Sequence, residues 1–114
     1  MNLQLFVRNI SGVVIVDLAG RATIGPENDF LNGQLQQLIN AGTSKMLLNL
    51  ADLTLVDSSS IGSIVKAFTC LRRRGSNLKL LGPRGNVRVV LEMVRLLDLI
   101  PTIEEEAQAI ASFN

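Results

Sequence analysis

Histidine, tryptophan and tyrosine are absent from this chain of 114 residues, and cysteine occurs once. Without histidine there is no triad with an imidazole base, no histidine-based metal site and no imidazole switch near neutral pH. A single cysteine cannot close an internal disulfide, so a disulfide framework is excluded and a reducing cytoplasm is compatible. No apolar run approaches the length of a membrane span. The opening MNLQLFVRNI alternates polar and apolar residues instead of placing basic residues before an apolar block, so no signal peptide is expected. Neither sign of charge dominates: 11 Lys and Arg against 10 Asp and Glu leave a net +1, which draws neither nucleic acid nor anionic membrane strongly. Low-complexity segments, repeats and interdomain linkers are also lacking.

What the chain does have is apolar bulk. Hydrophobic residues make up 47% of it, and a mean hydropathy of +0.34 is high for a soluble domain this small. Part of that surface is expected to be covered by a partner or by a second copy in a homodimer. The length fits one domain, residues 1–114, able to bury a core without staples.

Residues Met46 to Phe68, MLLNLADLTLVDSSSIGSIVKAF, organise the rest. An apolar strand ending near Leu50 leads through a short connection to a polar elbow and a helix. Asp57, Ser58, Ser59 and Ser60 are residue types that satisfy orphan N–H groups at a helix start, and Gly62 keeps bulk off the first turn. Ile61, Ile64, Val65, Phe68 and Leu71 form the apolar stripe, which places Ser63, Lys66, Cys70 and Arg73 on the opposite side. The exposed line extrapolates back through Ser59, making its hydroxyl the one expected to be most available to a partner.

Around that segment, Leu3, Leu5 and Val7 alternate as a strand with one well-buried face, and Val13 to Leu18 is a more buried antiparallel partner. Ala19 to Gly25 reads as a loop, Pro26 opens a helix with Phe30, Leu31, Leu35, Leu38 and Ile39 as its stripe, and Gly42 ends it. Leu78 to Leu81 is another strand. Val87, Val90, Leu91 and Val94 begin a further helical stretch that continues apolar to Ile100, Thr102 and Ile103 suggest a short strand, and Glu104 to Phe113 closes as a helix. The order predicts an α/β fold with a mixed sheet of four to five strands and four helices, ββαβαβα followed by a C-terminal helix.

Catalysis finds little support. A serine nucleophile needs a base, DSSSIG is not a GxSxG elbow, and neither a Walker A nor a GxGxxG loop is present, Gly82 and Gly85 having the wrong spacing. Cys70 reads as a surface cysteine, and Arg72, Arg73 and Arg74 as a solvated helix end, too short a run and without aromatic interleaving for nucleic acid. No enzyme, cofactor or metal is expected. The serine cluster is a helix cap, and phosphorylation there would add about −1.5 to −2 charge beside backbone N–H groups and a dipole that favour anions. Such a group would alter binding without unfolding the chain.

LLNLADLTLVDSSSIGSIVKAF is similar to the signature of the STAS domain family, whose members typically read DSSGLG at this helix start, while VDLAGRAT and NLKLLGP resemble flanking segments. The resemblance covers nearly the whole chain. It implies an anti-sigma factor antagonist: a protein that binds an anti-sigma factor serine kinase, is phosphorylated by it at Ser59, and is reset by a serine phosphatase. Asp57 matches the family's preceding aspartate, with a role in capping the helix and orienting the acceptor. Three positions depart from the pattern: Ser60 for glycine, Ile61 for leucine, and Thr23 where many phospho-switched members carry an acidic residue. Partner contacts are expected from the elbow, the exposed face of the second helix and the Thr23 loop. The alternative is a STAS scaffold subunit of a signalling or lipid-transport assembly, docked through the same elbow without phosphorylation.

Overall fold

A turn at Ser11 and Gly12, whose φ values are 55° and 80°, folds strand β1 (Leu3–Ile10) back onto β2 (Val13–Ala22) in the computed structural model, which describes residues 2–114. Positive φ at both central residues matches the twist of a two-residue hairpin. The pairing is antiparallel, from Ile10 opposite Val13 to Leu3 opposite Gly20. Helix α1 (Pro26–Asn40) then returns the chain, and β3 (Lys45–Val56) pairs parallel to β2. Helix α2 (Ser58–Arg73), β4 (Asn77–Leu81), α3 (Gly85–Met93), α4 (Leu96–Leu99), β5 (Thr102–Ile103) and α5 (Glu106–Ala111) follow. The five strands stand in sequence order, β1-β2-β3-β4-β5, and only the first pairing is antiparallel. Helices α1, α2 and α3 therefore all start at the carboxyl ends of parallel strands, at one end of the sheet.

Consecutive apolar residues in β2 and β3 supply both faces of the sheet. Val16, Leu48, Leu50 and Leu80 are fully buried on one side, in a cluster with Leu35 and Ile39 of α1, Ile64 and Leu71 of α2, and Leu91 of α3. Their neighbours Ile15 and Leu47 turn the other way, where Val13, Leu81 and Ala109 of α5 complete a smaller core. This explains why these strands read as continuous hydrophobic runs. A leucine so buried contributes about 2 to 3 kcal/mol by transfer from water.

Four expectations need correction. Strand β3 does not end near Leu50 but runs to Val56, and β2 reaches Ala22, because two register shifts keep Leu53 and Val56 paired with Gly20 and Ala22. The Thr54 hydroxyl donates to the Gly20 carbonyl at 2.9 Å across this pair. Gly20 has φ 96°, and a Cβ there would meet the Asn2 carbonyl oxygen at 2.1 Å, so glycine is required. The apolar stretch after Gly85 is two helices, not one, broken where Arg95 adopts φ 61°, ψ 27°, so the described residues form five helices where four were expected. Finally, Val7 in β1 is 47% exposed, so the apolar face of that strand is not buried along its whole length.

Candidate functional site

With β3 extended to Val56, the elbow shrinks to one residue. Asp57 has extended φ and ψ of −132° and −176° and is the N-cap of α2. Its Oδ1 accepts from the N–H of Ser59 at 3.0 Å and of Ser60 at 3.1 Å, and from the Ser59 hydroxyl at 2.6 Å. In return the Ser60 Oγ accepts from the Asp57 N–H at 3.1 Å, closing a capping box. The second carboxylate oxygen reaches away from the helix: Oδ2 accepts from the Ile24 N–H at 2.7 Å. One side chain thus fixes the start of α2, the Ser59 hydroxyl and the loop between β2 and α1.

Burial raises the Asp57 carboxyl, yet the bonds from the Ser59 hydroxyl and from the N–H groups of Ser60, Ile24 and Ser59 outweigh it, holding the group below the ordinary carboxylate range. All of these donors are neutral. Among the described residues no arginine or lysine forms an ion pair with Asp57, so there the carboxylate is held by hydrogen bonds alone.

The three serines divide by role. Ser60 is fully buried and belongs to the cap. Ser59 is half-buried, its hydroxyl held by Asp57. Ser58, expected on a flank, is the most exposed of the three. The expectation that Ser59 offers the most available hydroxyl is therefore corrected in respect of exposure: phase extrapolated into the first turn fails where a cap side chain gathers the second serine inward. The N–H groups of Ser59 and Ser60 are also already occupied by Asp57, so an anion at this helix start would meet the dipole but not those donors.

Further along α2, Lys66 and Arg73 are exposed, as expected. Ser63 is not: it is 7% exposed, with its hydroxyl 2.8 Å from Asn28 Oδ1 of α1 and 3.3 Å from the Ser59 carbonyl. Cys70 is half-buried against the main core. Both were expected on the solvent side, but α1 packs along that flank of α2 and covers it. Thr23 is half-buried and Ile24, beside it, is 77% exposed, a large apolar side chain at the elbow that the sequence reading passed over. Its signal was present, an isoleucine in a loop next to a small-residue turn. Gly62 is exposed, and a Cβ there would meet nothing within 4 Å. The fold itself does not require glycine at that point.

Of the arginine run, Arg74 donates to the Ile39 carbonyl at the end of α1 at 2.9 Å, and Arg72 lies over the Phe68 ring at 5.7 Å from its centroid. Among the described residues no group of three or more Cys, Asp or Glu is placed to hold a metal, and no helix is long and apolar enough to cross a membrane.

Comparison with known proteins gives a consistent set of matches. The model of the STAS domain matches residues 4–109. An anti-sigma F factor antagonist of Paenibacillus polymyxa is 26% identical over 115 residues, spanning 100% of this chain and 97% of the relative. Among solved structures, an anti-sigma factor antagonist from Mycobacterium paratuberculosis superposes with a TM-score of 0.84 at 14% identity, covering 97% of this chain and 93% of that one. The phosphorylated form of SpoIIAA, a Bacillus cell fate determinant, gives 0.75 at 18% identity over 97% of this chain and all of that one.

Proposed function

The chain belongs to the STAS domain family, and on that premise we propose that it is a cytoplasmic anti-sigma factor antagonist switched by phosphorylation of Ser59. Unphosphorylated, it binds an anti-sigma factor serine kinase through the elbow, Ile24 and the Thr23 loop, and the exposed line of α2 at Gly62, Lys66 and Arg73. The observation that carries this reading is the 2.6 Å bond from the Ser59 hydroxyl to the Asp57 carboxylate, with which no described lysine or arginine forms an ion pair. The hydroxyl donates its hydrogen to Asp57, which leaves lone pairs of Oγ to accept the γ-phosphoryl group of ATP held by the kinase, ADP leaving and the hydroxyl proton passing to the kinase or to solvent. The chain contributes an oriented oxygen and no catalysis of its own.

Phosphorylation replaces that hydrogen-bond donor with about −1.5 to −2 charge beside a carboxylate. The Ser59 to Asp57 bond is lost, two like charges face each other at the docking surface, and Asp57 also holds Ile24, so the loop feels the same change. Partner binding falls, and a serine phosphatase restores it. The Paenibacillus relative's name and the existence of a phosphorylated form of SpoIIAA support this reading.

The half-burial of Ser59 favours a second reading, a scaffold subunit that docks through the same elbow and is never phosphorylated. A pull-down from source-cell lysate with wild-type and Ser59→Asp baits separates them. Retention of a kinase-like anti-sigma factor by the wild type only is expected. Equal retention by both baits would favour the scaffold.

A further inference from the structure

The two edges of the sheet are unequal. One is β5, two residues long; the other is β1, eight residues long, with β2 as its only strand neighbour among the described residues. Long edge strands are ordinarily blunted by lysine, proline, a bulge or a covering element. The segment LQLFVRNI has neither proline nor lysine, and the register shifts fall between β2 and β3 instead. Its one charge, Arg8, is drawn to Asp17 at 2.6 Å and Glu106 at 2.6 Å on the α5 face. Phe6 is 63% exposed, Val7 47% and Ile10 37%.

The hydrogen-bonding parity of this edge follows from its inner side. The Asn2 carbonyl accepts from Arg21 at 2.8 Å, and Ile10 pairs with Val13 across a two-residue turn. Even-numbered residues of β1 therefore direct their backbone groups toward β2, and Leu3, Leu5, Val7 and Asn9 direct theirs outward.

We infer that β1 pairs with β1 of a second copy of this chain, antiparallel about a two-fold axis at Phe6. In that register Leu5 faces Val7 and Leu3 faces Asn9 of the other copy, which engages every outward group in about eight main-chain hydrogen bonds. Centring the axis on Leu5 or Val7 engages only about six. Phe6 then lies directly opposite its own copy at a non-hydrogen-bonded position, where side chains approach most closely and an aromatic pair is favourable. The second copy fits because the edge is its own complement, and two five-stranded sheets become one. An interface of one strand from each copy is small, so association is concentration-dependent. This inference is independent of the elbow and of phosphorylation.

Sedimentation velocity on the full chain across concentration is expected to show a monomer–dimer equilibrium. Phe6→Lys sets like charges opposite each other and should raise the dissociation constant at least about tenfold, with the monomer's melting temperature unchanged because Phe6 is exposed. In a Cys70→Ser background, Phe6→Cys should form an intermolecular disulfide on mild oxidation, whereas Gln4→Cys, on the same face but facing Arg8 of the other copy, should not. A chain that stays monomeric throughout, a dimer indifferent to Phe6→Lys, or equal cross-linking at both positions would overturn the inference.

Discussion

Two aspartates anchor opposite faces of this molecule, and they are satisfied in different ways. Asp17, on β2, faces α5. Arg8 meets it through two bonds of 2.6 and 3.0 Å, Asn49 donates at 2.8 Å, and Arg8 also binds Glu106 of α5 at 2.6 Å. Burial pushes the Asp17 carboxyl up, and the bonds from Arg8 and Asn49 bring it below its ordinary value. Asp57 reaches a similar outcome with neutral donors only. The first arrangement is closed, its charge matched by a guanidinium. In the second, no described lysine or arginine pairs with the carboxylate. In the clamp one guanidinium is shared by two carboxylates, Asp17 and Glu106, whereas at Asp57 the proposed phosphate on Ser59 would set a second negative charge against the first.

Mutations can break that contrast in order of expected effect. Asp57→Ala removes the cap, the Ser59 tether and the Ile24 anchor together and should cost about 2 kcal/mol in urea unfolding, with faster amide exchange at Ile24. A loss no larger than that of an ordinary surface substitution would mean the elbow is held by other contacts. Arg8→Ala opens the clamp and should cost about 1 kcal/mol, since the pair is partly exposed to solvent, while leaving partner binding intact. Weakened binding by this variant would mean the two faces are coupled. Gly62→Ala should work in the opposite direction, stabilising the helix by about 0.5 to 1 kcal/mol because there is room for the methyl group. The same variant should weaken partner binding if this surface is the docking face, and undiminished affinity would remove Gly62 from it.

Acid sharpens the comparison further. Both carboxylates titrate lower in the folded chain than in the unfolded one, so their stabilisation is present above the unfolded value and lost as pH falls through the folded value. The urea midpoint should therefore drop below about pH 4. Asp57→Ala and Arg8→Ala should each flatten part of that drop, and an unaltered slope in either would contradict the assignment.

Much of this was legible in the chain itself. Strand and helix order follow from hydrophobic period and turn residues, and the DSSS cap follows from residue type. What period alone misses is tertiary. The extension of β3 to Val56 depends on irregular pairing with β2, and the break at Arg95 depends on a left-handed residue that its type does not announce. Ser63 and Cys70 lie where an isolated helix would expose them, but α1 packs there. Ser58 and Ser59 exchange their expected exposure because a hydrogen bond to Asp57, rather than helical phase, sets side-chain direction in the first turn.

The most direct test of the switch is to map phosphate on the chain purified from its source cells by fragmentation mass spectrometry, beside a binding titration of each separated form. One phosphate is expected, on Ser59, carried by the form that no longer binds the kinase. Phosphate on Ser58 instead, or full binding by the Ser59-phosphorylated form, would contradict it.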